Sequence, residues 1–347
     1  MQNTNSGLVH FKSGFKNFKR WETVLAFILL FEFTIFSLAS DKFTFSRMLL
    51  SINDIISILI ISLFVTFVMV TGGIDIQAGS IVGLTSIIIG VAWQDAGMNI
   101  WGAVIVAVIV AALCGALSGF FVSYCGVQPM VVTLGGSFLY AGIALLISRA
   151  SATESYKGIS GFPESFTKIS SFKLFDVIPN QLIIFLVLIV ICYFLLHKTK
   201  YGRRVFLVGV NQRAAEFSGI NSRLITLSTY VLSGIGASIA GIVLTAYLGT
   251  AKSDLGITFT LPIITAVVLG GTLSTGGKGS IMGTALAALV IGILRFGLPL
   301  SFGISTQYLD IPVGILLLTV IIGRSLAGNP RASMLFNKFF SKQKEAN

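Results

Sequence analysis

The chain has 347 residues, 54% of them apolar and 11% charged, with a mean hydropathy of +0.92. No soluble globular domain needs that much apolar surface, so the composition excludes a soluble enzyme or binding module and leaves a polytopic membrane protein. The net charge of +11 is then a topology signal, since Lys and Arg collect in cytoplasmic loops; nucleic acid is not an expected partner.

Residues 1–20 are polar, with Lys12, Lys16, Lys19 and Arg20 just ahead of the first apolar run. They predict a cytoplasmic N-terminal tail over 1–21. Spans are predicted at 22–39, 53–70, 76–93, 100–124, 128–147, 181–197, 223–248, 257–273, 280–297 and 308–323. The expected fold is therefore an all-α membrane domain over 22–323 with about ten transmembrane helices. A cytoplasmic C-terminal tail over 324–347 follows, so both termini are expected on the cytoplasmic side. Ser37-Leu38-Ala39 faintly resembles a signal-peptidase site, but the many later spans favour an uncleaved anchor. Glu32 falls inside the first span, where it either lines a polar interior or reaches toward the outer headgroups.

The charge distribution tests this topology. Segments expected inside hold 16 of the 24 Lys and Arg, and segments expected outside hold eight. The long polar loop 148–180 falls on the periplasmic side and carries three acids against four bases, so it does not oppose export.

Two stretches are alike. Gly79-Ser80-Ile81-Val82-Gly83 follows Gly72-Gly73, and Gly279-Ser280-Ile281-Met282-Gly283 follows Gly270-Gly271. Each opens a span directly after a glycine-rich break. Weak internal repetition with interrupted helices points to a transporter, because irregular backbone at membrane depth needs a cavity or a protein neighbour. Within the first break, Asp75 either contacts substrate or caps the N-terminus of the third span. A break near the cytoplasmic surface favours the cap. Asp254 is placed in an outer loop, where it contacts a periplasmic partner or caps the next span.

The longest hydrophilic interruption of the second half, 198–222, carries Lys198, Lys200, Arg203, Arg204 and Arg213, with Arg223 at its border and Glu216 as its only acid. Its basic character places it in the cytosol. Asn211 is a good N-cap for a short helix from Gln212 to Phe217, and Gly219 suits the left-handed position after it. Phe206, Val208, Ala214, Ala215 and Phe217 give the loop an apolar face. Two readings stand: a docking surface for a soluble partner, or a basic loop lying on lipid headgroups.

Enzymatic motifs are missing. Lys278 is followed by Gly279, so the glycine run before it is not a P-loop, and only His10 and His197 are available for acid–base work. No catalytic residue and no metal site is assigned. Cys114, Cys125 and Cys192 lie in or beside apolar runs without a C-x-x-C pair and are read as small apolar residues.

Gly202-Arg203, Gly209, Asn211, Ala214-Ala215 and Gly219-Ile220 together resemble the cytoplasmic coupling motif of monosaccharide-type ABC importer permeases, the ribose family. Leu207 departs from it, standing where that family usually has alanine. The run Gly72-Gly73-Ile74-Asp75-Ile76 also matches. Leu196 to Thr199, Val205-Phe206-Leu207, Lys252 to Gly256, Ile264 to Gly271 and Val320 to Ser325 are similar to the D-type permeases of autoinducer-2 (Lsr) importers within that family. The resemblance implies a multi-pass permease of the bacterial inner membrane. Its partners would be a second related permease, two ATPase subunits and a periplasmic substrate-binding protein. ATP and Mg would sit on the ATPase, and this chain would bind no cofactor of its own. The coupling loop would be the 198–222 segment.

A small, polar, uncharged substrate fits the scarcity of charge within the spans. Neutral groups such as Asn53, Gln77, Ser80, Thr133 and Ser137 could meet its hydroxyls, or could bond neighbouring helices instead. A translocation path past Gly72, Gly73, Asp75, Gln77 and Ser80 is one expectation. Autoinducer-2, ribose or another monosaccharide remain open as cargo. A proton- or sodium-coupled carrier is a further alternative, although such carriers usually bury several ionisable groups.

Overall fold

The computed structural model describes residues 6–154, 157–175 and 178–328. The expected tail beyond 328 and the first five residues lie outside the described residues. Thirteen helices are described: α1 (Ser6–Ala39), α2 (Phe45–Val70), α3 (Ala78–Gln94), α4 (Ile100–Ser123), α5 (Pro129–Ala150), α6 (Glu164–Ser171), α7 (Asn180–His197), α8 (Lys200–Val210), α9 (Gln212–Phe217), α10 (Ser222–Leu248), α11 (Thr260–Leu269), α12 (Ile281–Phe302) and α13 (Asp310–Gly328). Two short antiparallel ladders pair β1 (Ile159–Ser160) with β4 (Thr250–Ala251) and β2 (Lys173–Leu174) with β3 (Ile178–Pro179).

Among the described residues, seven helices are long and apolar enough to cross a membrane: α1 from Trp21, α2, α4, α5, α7, α10 and α12. Shorter apolar helices lie at Ala78–Gln94, Thr260–Leu269 and Thr306–Val320, where three further spans were expected.

α2 is apolar on every side and buried along nearly its whole length, as a helix hydrophobic all round must be. α10, α11, α12 and α7 pack around it. α10 crosses α4 at backbone distance. Ala111, Gly115 and Gly119 form a small-residue stripe on α4, and a Cβ on Gly119 would lie 3.0 Å from the Leu227 Cα. Gly115 abuts the Tyr230 carbonyl in the same seam, and Gly234 of α10 abuts that of Ala111. Stripes of this kind let helices approach where lipid offers no hydrophobic drive. α4, α5 and α7 turn large apolar side chains outward, including Leu113, Phe138, Leu146 and Val190.

Two short elements relate to one another as opposites. α11 has 10 residues, about 15 Å, or half of a ~30 Å hydrocarbon core. The stretch 252–259 ahead of it carries no regular structure beyond turns and runs alongside α3. Gly83 abuts the Ser253 carbonyl and Gly79 abuts that of Gly256. α3 in turn is preceded by the extended stretch 73–76, and the Thr260 hydroxyl donates to the Ile76 carbonyl at 3.1 Å. Each element is thus part unwound chain and part helix, and both helices begin where the two cross. The matching Gly-Ser-Ile stretches do each open a helix, but not equivalent ones. The first heads the short α3 at the crossing; the second heads the full-length α12 at one end of the bundle. α3 and α11, which do not share that motif, are the structural counterparts.

Glu32 is buried, 7% exposed, on a helix whose main partner is α12, so it does not reach outward to headgroups.

Candidate functional site

α7 turns sharply into α8. Gly202 sits against the carbonyls of Leu195 and Leu196, a corner with no room for a side chain, and the Thr199 hydroxyl caps α8 by accepting from the Gly202 N–H at 3.1 Å. α8 then shows two faces at helical spacing. Gly202, Val205 and Val208 are buried, whereas Arg203, Arg204, Leu207 and Val210 are exposed. The Tyr201 hydroxyl bonds that of Ser228 at 2.8 Å and ties α8 to α10. Burial pushes the Tyr201 phenol above its ordinary range, so it stays neutral.

α9 follows as the loop chemistry predicts. The Asn211 side chain accepts from the Ala214 N–H at 3.0 Å, and Gly219 takes φ +78 just after the helix. Ala215 is buried, but Ala214 is exposed and Phe217 is 93% exposed, so these two do not join the expected inward apolar face. They form part of an outward surface with Leu207, Val210 and Arg213. Glu216 accepts from Ser222 and, at 3.4 Å, from Gln212. The Ser222 and Gln212 bonds, then Arg223 and Arg213, hold its carboxyl below the usual range. An open cleft of about 580 Å³ lies between this surface and the α4–α5 turn, lined by Tyr124, Gly126, Asn211, Gln212, Arg213 and Arg223 among others. The Arg223 guanidinium stands 5.8 Å from the centre of the Tyr124 ring.

The tip of α8 reaches the bundle at the first glycine break. Gly277 N–H donates to the Val70 carbonyl at 2.8 Å, and Gly209 lies against both. The end of α7 is close by: the Ile281 N–H donates to His197 Nε2 at 3.3 Å. The start of the first apolar helix shares this end, with Trp21 Nε1 donating to the Leu269 carbonyl at 2.7 Å and Ser280 bonding Glu22 at 2.6 Å.

From Val70 the chain climbs toward mid-depth. Asp75 Oδ1 accepts from the Gln77 N–H at 3.0 Å, and Oδ2 accepts from the Ser233 hydroxyl at 2.6 Å. Ser233 lies 11 residues into α10, about 17 Å along its axis, which sets the level of Asp75. The expectation that this break sits near a surface is corrected for Asp75: the break starts beside the α8 tip at Thr71, but Asp75 lies at the level of Ser233, well along α10. Asp75 is 2% exposed and caps α3.

Around it lies a buried polar cluster. Ser118 donates to Gln77 Oε1 at 2.6 Å, Tyr140 donates to the Cys114 carbonyl at 3.0 Å, and Thr133 donates to the Ile74 carbonyl at 3.1 Å. Gln77 Nε2 and the Tyr230 hydroxyl have no hydrogen-bond partner. Of the neutral groups singled out from sequence, Gln77 and Thr133 enter this cluster. Ser137 bonds back to Leu134, Ser80 is half-buried at the start of α3, and Asn53 is buried on α2. Gly72 takes φ +87 and Gly73 faces Tyr230. Ser118, Tyr140, Tyr230 and Ser233 were not singled out from sequence. Lone hydroxyls within apolar runs carry no local signal. Asp254 is exposed on the stretch beside α3, and no group of His, Cys, Asp and Glu among the described residues could hold a metal.

A mostly helical, multi-pass bundle with two interrupted elements and a folded basic loop is the build of a membrane permease. The chain belongs to the family described as branched-chain amino acid transport system / permease component, which matches residues 47–321. It is 41% identical over 308 residues to the "Autoinducer 2 import system permease protein LsrD" of Photorhabdus luminescens, covering 88% of this chain and 92% of that one. Proteins of the same name from Salmonella typhimurium and Yersinia pseudotuberculosis are 42% identical over the same shares. The chain is accordingly a multi-pass inner-membrane protein and a transport component rather than an enzyme.

Proposed function

We propose that this chain is a pore-forming subunit of an ATP-binding-cassette importer that carries autoinducer-2 across the inner membrane. The reading rests on one observation above others: the α8–α9 loop is folded, basic and apolar on its outer face, a built surface that leaves these side chains exposed among the described residues. The names borne by relatives of 41–42% identity supply the cargo.

In this mechanism a separate ATPase, holding ATP and Mg, seats on Arg203, Leu207, Val210, Arg213 and Phe217. This chain contributes no cofactor. A second, related permease completes the pore, two ATPase subunits drive it, and a periplasmic protein delivers the ligand to the opposite end, where the 148–180 loop lies. ATP binding pushes on α8–α9, and the bundle answers by switching the side to which its path opens. About ten spans, with α3, α11 and α13 among them and both termini in the cytosol, complete the topology. Segments predicted inside by charge, namely the start of the first span, the 198–222 loop and Lys278, gather at the α8 end, which supports that orientation.

Uptake of labelled autoinducer-2 by cells carrying the full system tests the reading. It is expected to stop on ATP depletion, to survive an uncoupler, and to resist competition by ribose. Uptake that ribose abolishes reassigns the cargo to a monosaccharide. Uptake that survives ATP depletion but collapses with the uncoupler makes the chain an ion-coupled carrier. Labelling that places 198–222 in the periplasm overturns the coupling assignment.

A further inference from the structure

Resting on that reading, we propose that Gly209 is a positioning residue in a rigid backbone joint that carries motion of α8 into both interrupted elements at once. Three segments meet there with no layer of side chains between them: the tip of α8, the end of α2, and the glycine loop after α11. The Gly277 N–H donates to the Val70 carbonyl at 2.8 Å. A Cβ on Gly209 would lie 2.6 Å from the Gly277 nitrogen and against the Val70 carbonyl. A Cβ on Gly276 would lie 2.9 Å from the Gly209 carbonyl and 2.8 Å from the Gly72 nitrogen.

The glycines differ in what they need. Gly72, Gly276 and Gly277 adopt φ of +87, +84 and +76, so their turns alone favour glycine. Gly209 sits inside a helix at an ordinary φ, where glycine costs about 1 kcal/mol relative to alanine. Turn geometry does not explain it; close approach does. The partners are the roots of the two interrupted elements. Val70 leads through the Thr71–Gly72 turn into the stretch that ends in α3, and the glycine loop leaves directly from α11. Backbones this close cannot slide without breaking the bond to the buried Val70 carbonyl, so α8, Val70 and Gly277 move as one body. A push on the exposed face of α8–α9 therefore reaches α3 and α11 together. Gly209 itself faces the bundle, away from Arg203, Leu207 and Val210.

The purified importer, with its ATPase and binding protein, tests the joint. Gly209→Ala is expected to keep the ATPase in the complex while uptake and binding-protein-stimulated ATP hydrolysis fall by roughly 5–150-fold, the range of coupling between sites. Wild-type uptake by this variant overturns the joint, and so does loss of the ATPase from the complex, which would put Gly209 in the dock. A second measurement does not depend on that variant folding. Spin labels at Arg204→Cys and Ser274→Cys, both exposed sites outside the proposed seat, in a Cys125→Ser background report the distance across the joint. It is expected to be the same in the resting and ATP-trapped states; a shift larger than the labels' own spread overturns the joint. Failure of the wild-type chain to co-purify with an ATPase removes the reading beneath, whereas co-purification with full uptake by Gly209→Ala removes the joint alone.

Discussion

Removing the Asp75 carboxylate separates a structural cap from a transported-ion site. Asp75→Ala leaves the Gln77 N–H and the Ser233 hydroxyl without their acceptor in a site that is 2% exposed. Each orphaned buried donor costs about 1–3 kcal/mol, so the pair costs about 2–6 kcal/mol. Asp75→Asn keeps the shape: its carbonyl still accepts from Gln77, and its amide donates to the Ser233 oxygen. What it loses is the attraction between a negative charge and the start of α3, about 1 kcal/mol. At roughly 2 °C per kcal/mol for a protein of this size, alanine lowers the melting midpoint by about 4–12 °C and asparagine by about 2 °C. Thermal unfolding of the detergent-solubilised complex, followed by tryptophan fluorescence and scanned at one rate, gives both midpoints. Uptake by the Asn variant should stay near wild type. An alanine variant as stable as wild type refutes the cap. An asparagine variant that is stable but transports nothing refutes the purely structural role and gives the charge itself a part in transport.

Phe217→Ala should leave insertion intact yet weaken ATPase co-purification, because burying a side chain now 93% exposed is worth about 1.5–3 kcal/mol on docking. Asn211→Ala removes the cap of α9, worth about 1 kcal/mol, and should loosen the loop enough for protease to cut it faster in inside-out vesicles. Gly115→Leu should block maturation of the protein, read as loss of the folded band in membranes, since the Tyr230 carbonyl occupies the space. For pH, the Glu216 carboxyl is held below its ordinary value, so its ties to Ser222 and Gln212 are complete above the unfolded value and fade only as pH falls through the lower folded one. ATPase binding should therefore not change through Glu216 between pH 8 and about 6; a loss within that window that Glu216→Gln abolishes contradicts this.

Much of the 198–222 loop was legible because its signals are local. Asn211, the six residues after it and Gly219 form a complete start-and-stop sequence for one short helix, and that helix is where it should be. Apolar runs likewise marked the long helices, whose caps at Thr44, Asn99, Asn221 and Ser280 are ordinary side-chain acceptors. The interior was not legible to the same degree. Hydropathy gives the 257–273 run the length of a whole span, yet only Thr260–Leu269 of it is helical, with turns and irregular chain on either side. Asp75 moved inward from the surface because its partner Ser233 lies 11 residues into α10, a long-range contact no local signal carries. The likeness of the two Gly-Ser-Ile stretches misled about which elements correspond, since close packing and sharp turns both select glycine and leave the same letters. Phe217 and Ala214 looked inward by composition; only the tertiary contacts of α8 show that the small helix turns them out.

The unwound stretch beside α3 has a cost in biogenesis. Asp254, Ile257 and Thr258 are exposed on it, and α11 starts without a side-chain cap at the same level. Hydrocarbon tolerates no bare peptide groups of that kind, so this flank must be wetted or sheathed by protein. If the proposed second permease sheathes this flank, a copy synthesised without it leaves the flank against acyl chains, and membrane proteolysis would remove it. Orphan chains should accordingly be short-lived, with abundance set by whichever subunit is scarcer.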